Sequence, residues 1–198
     1  MENAWEHITL NQFKAIRAVT ESDKSGEDKL IAYASVLSGL TEDEILRMPF
    51  AQVAPLFEKV RGLDNPPKRG RVRKIYKIKG WELCLTDATR LSVAQWIDYQ
   101  SFAKDLDKYM VELASVVLVP KGKTYNEGYD MKALQRDLGE MEISDALSVC
   151  FFFQKRWLKS MRITLTFLVG KAIQMKNKEM RQRALEVRKE VSALLSSL

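Results

Sequence analysis

The chain of 198 residues is 46% hydrophobic and 29% charged, and its formal net charge is +6. This composition excludes a wholly disordered protein, and the length fits one domain or two small ones. The longest apolar runs, residues 116–120 and 149–153, are too short to span a bilayer, and MENAWEHITL lacks the basic and apolar regions of a signal peptide. We therefore expect no membrane association, and a protein that is soluble inside a cell or belongs to a particle assembled there.

Residues 1–65 are predicted to form a helical unit. Residues 9–12 (TLNQ) and 41–44 (TEDE) each match a capping box, in which the first and fourth residues accept each other's backbone N–H groups. Apolar residues at helical spacing follow both boxes. Pro55 interrupts the last of these helices, which predicts a kink or a later start. Two consecutive prolines then predict a linker over residues 66–70.

Residues 71–85 are predicted to form a β-hairpin. Lys79-Gly80 fits a two-residue turn, because glycine supplies the positive φ that such turns need. An isolated hairpin is marginally stable in water. We therefore expect it to pack on helices of this chain or to pair with a strand of a partner.

The basic residues are concentrated around the first strand of this hairpin, since residues 68–79 carry seven basic and no acidic side chains. One interpretation is a phosphate-binding stripe. The other is a hairpin that docks on acidic parts of its own chain or of a partner. Nucleic acid is the weaker interpretation, because no helix-turn-helix pattern, zinc-ligand set or aromatic platform accompanies the cations. The candidate basic patch comprises Lys68, Arg69, Arg71, Arg73, Lys74 and Lys77.

Helices are predicted to follow the hairpin. Residues 92–95 (SVAQ) form a third capping box, and a further helix should run up to Pro120. Asp130 is placed to cap a helix that ends at Gly139. Residues 171–198 have strong helix formers but few apolar residues, which indicates an exposed basic helix or one that packs on a second copy of the chain.

The fold class predicted from these patterns is mainly α, with one β-hairpin. Its units are a helical N-terminal unit (residues 1–65), a linker (66–70), a hairpin plus helical unit (71–170) and a long basic C-terminal helix (171–198).

Aromatic residues supply the candidate contacts to a partner. Two tyrosines flank a glycine in the loop of residues 121–130, and tyrosine is common at interface anchors. The run Phe151-Phe152-Phe153 points in three directions around a helix, so one core cannot cover all three rings. The alternative is that the loop is purely structural and is held in place by its own aromatic rings. The candidate partner-binding residues are Trp96, Tyr99, Tyr125, Tyr129, Phe152 and Trp157.

Residues able to support chemistry are few. His7 is the single histidine, so neither a catalytic triad nor a histidine-based metal cluster can be assembled around it. Cys84 and Cys150 lack CxxC spacing and lie among apolar residues, which predicts two buried free thiols. The segment KGKT at 121–124 lacks the upstream glycine of a phosphate-binding loop. We therefore expect no enzyme activity, no cofactor and no metal.

Short phrases along residues 8–170 resemble proteins encoded among the structural genes of tailed bacteriophages, particularly phages of gut bacteria. The phrases are LSGLTEDEILRMPFAQV, LSVAQWIDYQ, VLVPKGKTYNEGYD and ISDALSVCFFF, arranged around a proline-rich joint and a basic hairpin. They look like tail-assembly chaperones, which hold the tape-measure protein before the tail tube forms around it.

The resemblance implies a non-enzymatic morphogenesis protein that works through protein–protein contacts with tape-measure-like or other phage structural proteins. It would act in the host cytoplasm during assembly. The first alternative is a structural component of the virion, such as a head–tail adaptor or a protein retained in the tail or capsid. The second alternative is a nucleic-acid-binding accessory protein.

Overall fold

The computed structural model describes residues 4–156 together with residues 182, 185, 186 and 189, and excludes the side chain of Asp107. Trp157 lies outside the described residues, and so does the predicted C-terminal helix (171–198) except for residues 182, 185, 186 and 189. Contacts group the chain into two units, one of Met1–Thr86 with Leu91–Cys150 and one of Asp87–Arg90 with Phe151–Leu198. Residues on both sides of the predicted 66–70 linker belong to the first unit, and the predicted division at that linker stays a prediction.

The protein is mainly helical and has one small antiparallel sheet, which confirms the predicted fold class. The elements of the first unit are α1 (Leu10–Glu21), α2 (Gly26–Ser38), α3 (Glu42–Arg47), α4 (Phe50–Arg61), β1 (Ile75–Ile78), β2 (Trp81–Leu85), α5 (Val93–Phe102), α6 (Leu106–Val117), β3 (Leu118–Pro120) and α7 (Met131–Leu138). A single 3₁₀ turn, Gly62–Asp64, follows α4, and residues 143–150 are again helical.

Four helix starts are those that the sequence predicts. Thr9, Thr41 and Ser92 each form a complete capping box at the starts of α1, α3 and α5, with side-chain and backbone bonds in both directions. Asp130 accepts the backbone N–H groups of two residues in the first turn of α7. These caps succeed as predictions because each depends on residues three positions apart.

Helix α4 differs from the expectation of a later start, because it runs through Pro55 from Phe50. Proline removes one helical hydrogen bond and crowds the preceding turn. Two features compensate: the proline ring is exposed, and Val53 and Val60 are buried on the opposite side. Val53 belongs to the core shared by α2, α3 and α4, which it forms with Ala34 and Ile45.

The hairpin has the predicted turn. Lys79 and Gly80 both have positive φ, 46° and 87°, as a two-residue hairpin turn requires. The sheet has a third strand, in a segment whose sequence predicts the end of a helix. Leu118–Pro120 leaves α6 in extended conformation and pairs antiparallel with β2, giving the order β1-β2-β3. The hairpin is therefore paired within its own chain.

The segment that joins α6 to β3 is the centre of the first unit. Every side chain from residue 113 to residue 120 is buried. Helix α7 packs on α6 and contributes Leu134 and Leu138, and these two residues and Val149 of the 143–150 helix are all fully buried. The core is thus built on a helix that becomes a strand without a loop.

Gln95 connects this centre to α5. Its Oε1 accepts the Ser92 N–H at 3.2 Å in the capping box, and its Nε2 donates to the Val116 carbonyl at 3.1 Å. The side chain is 5% exposed, so neither bond is easily replaced by water.

Replacing Gln95 by Ala should lower the free energy of unfolding by about 2 kcal/mol, because it removes one half of a capping box and leaves a buried carbonyl without its donor. Urea denaturation followed by circular dichroism measures this change. Gln100→Ala, at an exposed position of the same helix, is the control and should leave the midpoint almost unchanged. Equal midpoints for the two variants would contradict the assigned role.

Both cysteines are free thiols, as predicted, although Cys84 is only half-buried whereas Cys150 is buried. Burial raises the pKa of the Cys150 thiol to about 12. The nucleophilic thiolate is therefore almost absent at this position near neutral pH.

Iodoacetamide at pH 8 should consequently modify Cys84 well before Cys150 in the native protein. Peptide mass spectrometry after a timed quench reports the two sites separately. Labelling in urea is the control, and there both thiols should react at similar rates. Fast native labelling of Cys150 would contradict its burial.

Candidate partner-binding surfaces

The aromatic candidates on α5 differ in exposure. Trp96 is half-buried, and its ring stacks on Tyr99 with centroids 6.5 Å apart. Tyr99 is 3% exposed, and burial raises the pKa of its phenol. Its ring belongs to the core, because Tyr99 lies one turn after buried Gln95 on the inner face of the helix. Burial leaves little of the ring for a partner to contact, and the role of Tyr99 at an interface stays a prediction.

The two loop tyrosines are held by their own chain. The Tyr125 hydroxyl donates to Asp98 Oδ2 at 2.7 Å, and burial and this carboxylate raise the pKa of the phenol. The Tyr129 hydroxyl accepts the Asn126 N–H at 3.0 Å, and its ring meets Trp81 edge-on at 6.3 Å. Both rings are half-buried, which fits the structural interpretation of the loop. Contact with a partner stays a prediction for the exposed part of each ring.

Trp81 also fixes the hairpin to α7. Its Nε1 donates to Asp137 Oδ2 at 2.9 Å, and this hydrogen bond is the largest cause of the lowered pKa of the Asp137 carboxyl. A lowered pKa in the folded state stabilises the fold at pH values above the unfolded pKa. That stability is lost as the pH falls through the folded pKa.

Trp81→Phe should lower the urea midpoint of unfolding at pH 7. The difference in midpoint between this variant and the wild type should shrink as the pH falls below about 4. The reason is that protonated Asp137 is a weaker acceptor for the indole N–H. Midpoints measured from pH 7 to pH 2.5 test this. The control, Asp137→Asn, keeps an acceptor that does not titrate, so in that background the effect of Trp81→Phe should not vary with pH through this group.

The second unit contains one further candidate. Residues 151–156 are helical, Phe152 is half-buried, and the Arg156 guanidinium lies 5.2 Å from the centre of its ring. In the same unit the Asp87 carboxylate accepts from the backbone N–H and the hydroxyl of Thr89, which lowers its pKa. Trp157, the remaining aromatic candidate, is outside the described residues.

The six candidates of the basic patch are all exposed. Arg73 pairs with Asp145 at 3.4 Å, and the Asp145 side chain is only 12% exposed. Burial raises the pKa of Asp145, and the facing guanidinium acts in the opposite direction. At the start of the segment, Gly70 donates its N–H to the Ser144 carbonyl at 2.9 Å. The segment is thus partly docked on its own chain, in line with the second of the two interpretations given above.

Two surfaces outside the candidates predicted from the sequence carry large exposed apolar side chains. The α3–α4 patch consists of Leu46 and Phe50, which are 64% and 76% exposed, and the α5 patch consists of Val93 and Ile97, which are 75% and 57% exposed. Val93 and Ile97 lie on the face of α5 opposite Gln95 and Tyr99. The sequence of α5 could have indicated the second patch, because its apolar residues cover more than one face of the helix. A helix that packs on a single core needs only one apolar face.

The described residues also enclose a cleft of about 580 Å³ in the N-terminal part of the first unit. Aromatic and apolar side chains dominate its lining, among them Trp5, Phe13, Leu30 and Tyr33, and Arg17 and Asp64 lie at its polar margin. No set of three or more His, Cys, Asp or Glu residues suited to a metal ion occurs in the part of the chain that the structure describes. Within the same part, no helix has the length and apolar character needed to cross a membrane.

Comparison with known proteins adds no relative, since no protein-family model, no curated protein and no solved structure matches the chain.

Proposed function

We propose that the chain is an assembly protein of tailed bacteriophages that acts as a tail-assembly chaperone by holding the apolar helices of a tape-measure-like protein. The observation that carries the proposal is the pair of exposed apolar patches on α3–α4 and α5. Both patches fall within the phrases on which the phage resemblance rests, LSGLTEDEILRMPFAQV and LSVAQWIDYQ. In this role the protein works in the host cytoplasm before the tail is complete.

The position of the patches suits reversible contact. A capping box at Thr41 starts α3, which carries Leu46, and one at Ser92 starts α5; Phe50 is the first residue of α4, which has no side-chain cap. Burying one large apolar side chain contributes about 2 kcal/mol, and association itself consumes several kcal/mol. Two small patches therefore support a moderate affinity, which a chaperone needs if it is to release its partner to the growing tail.

The proposal is tested by co-expressing the chain with a tape-measure-like protein from the same gene neighbourhood and measuring the amount that co-purifies. The double variant Phe50→Glu with Val93→Glu should reduce the bound partner at least tenfold. Both residues occupy the first turn of their helices, where an acidic side chain is favourable, so the fold should persist.

The matched control is the double variant Ala51→Glu with Ala94→Glu, which adds the same charges at neighbouring exposed positions. It should retain the partner. Loss of the complex in both double variants, or in neither, would contradict a role of the two patches. Mass spectrometry of purified particles separates the virion alternative, because a retained component would be present in stoichiometric amounts and a chaperone would be absent.

A further inference from the structure

The sheet has two edges, and they differ in accessibility. At one edge, all three residues of β3 are buried, and Pro120 has no N–H to offer. At the other edge, β1 contains Ile75, which is 42% exposed, and Lys77, which is also exposed. β1 is therefore the edge at which another strand could be added.

The pairing register identifies which backbone groups of β1 point away from the sheet. Lys74 accepts the N–H of Leu85 at 3.3 Å, and in an antiparallel ladder the hydrogen-bonded residues alternate. Tyr76 and Ile78 therefore bond to β2, and Ile75 and Lys77 direct their N–H and C=O groups outward. None of the described residues forms a hydrogen bond with these four groups.

The side chain of Lys77 forms no salt bridge with the described residues, although its charge contributes to the lowered pKa of Glu82. Its cross-strand neighbour is Glu82. The Glu82 carboxylate is already bound to Lys121 Nζ at 2.6 Å, and this bond is the largest cause of its lowered pKa. The free edge of the sheet thus presents an exposed cation without a salt bridge next to unpaired backbone groups.

A groove of about 330 Å³ runs beside this edge. β1 and the residues flanking it form one wall, and the segment from Glu140 to Asp145 forms the other, with Met141 between its carboxylates. β2 contributes no lining residue, so the groove lies outside the edge and not over the sheet. The carboxylates of Glu140, Glu142 and Asp145 in the second wall disfavour a ligand that carries negative charge on all of its faces.

We propose that the β1 edge binds an extended segment of another protein in which acidic and uncharged residues alternate. Successive side chains of an added strand point to opposite faces of the sheet. Those on the face of Lys77 would be acidic and pair with its ammonium group. Those on the face of Tyr76 would be uncharged, because they meet Met141 and the carboxylates of Glu142 and Asp145.

Charge and hydrogen bonding favour this occupant over the others. A second copy would bring its own Lys77 to the same edge, and like charges opposed across strands are destabilising. A nucleic acid would offer phosphates, which accept hydrogen bonds but cannot donate to the outward carbonyls of Ile75 and Lys77. This inference does not depend on the apolar patches or on the proposed chaperone function.

The test is fluorescence anisotropy of the full chain with labelled hexapeptides at low salt. A peptide alternating Glu and Val should bind, and an alternating Lys and Val peptide should not. The Glu and Val peptide with N-methyl groups on alternate residues, which removes the backbone donors, should bind at least tenfold more weakly. Equal binding of the methylated peptide would overturn strand addition, and absence of binding to the acidic peptide would overturn the whole proposal.

The role of Lys77 is tested with the variant Lys77→Glu, which should weaken binding of the acidic peptide at least tenfold. The control Lys132→Glu makes the same charge change at an exposed position on α7 and should have little effect. Circular dichroism confirms that both variants remain folded. An oligonucleotide of six thymidines that binds more tightly than the acidic peptide would overturn the proposal in favour of nucleic acid.

Discussion

The complete burial of residues 113–120 is the constraint on which the rest of the first unit depends. A run of valines and leucines begins in a helix and ends in a strand without leaving the core. Such a change of conformation leaves backbone groups that neither element satisfies by itself, and buried groups of this kind are costly unless they are paired. The surrounding elements supply the partners: the Thr86 N–H donates to the Val117 carbonyl at 2.8 Å, and the Gln95 side chain donates to the Val116 carbonyl. The Gln135 side chain also donates to the buried side-chain hydroxyl of Ser115 at 3.1 Å.

This arrangement decides which surfaces remain for partners. Helix α5 directs Gln95 and Tyr99 into the core that contains the buried run. Because Val93 and Ile97 lie on the opposite face of the helix, they face outward. Because β3 closes one edge of the sheet with buried side chains, β1 becomes the accessible edge. The exposed apolar patch on α5 and the cationic strand edge thus have a common origin in the packing of one segment.

The sequence predicts the features whose causes are local. Capping boxes, the Lys79-Gly80 turn and the helix start at Asp130 each depend on a few neighbouring residues, and all are found. β3 could not be predicted in the same way, because a strand of three residues after a helix is defined by its pairing with β2 and not by its own pattern. The burial of Tyr99 and the exposure of Phe50 likewise depend on which distant elements cover them.

The short antiparallel contact between the two ends of the first unit has a consequence for synthesis. Leu10 donates to the Met141 carbonyl at 2.9 Å, Ile143 donates to Ile8 at 2.8 Å, and the neighbouring pair His7 and Glu142 is 135 residues apart in the chain. Helix α1 therefore cannot take its final place until almost the whole unit has left the ribosome. Until then only its contacts with Trp5 and α2 can form, so the remaining part of its apolar face is exposed to mispairing during elongation.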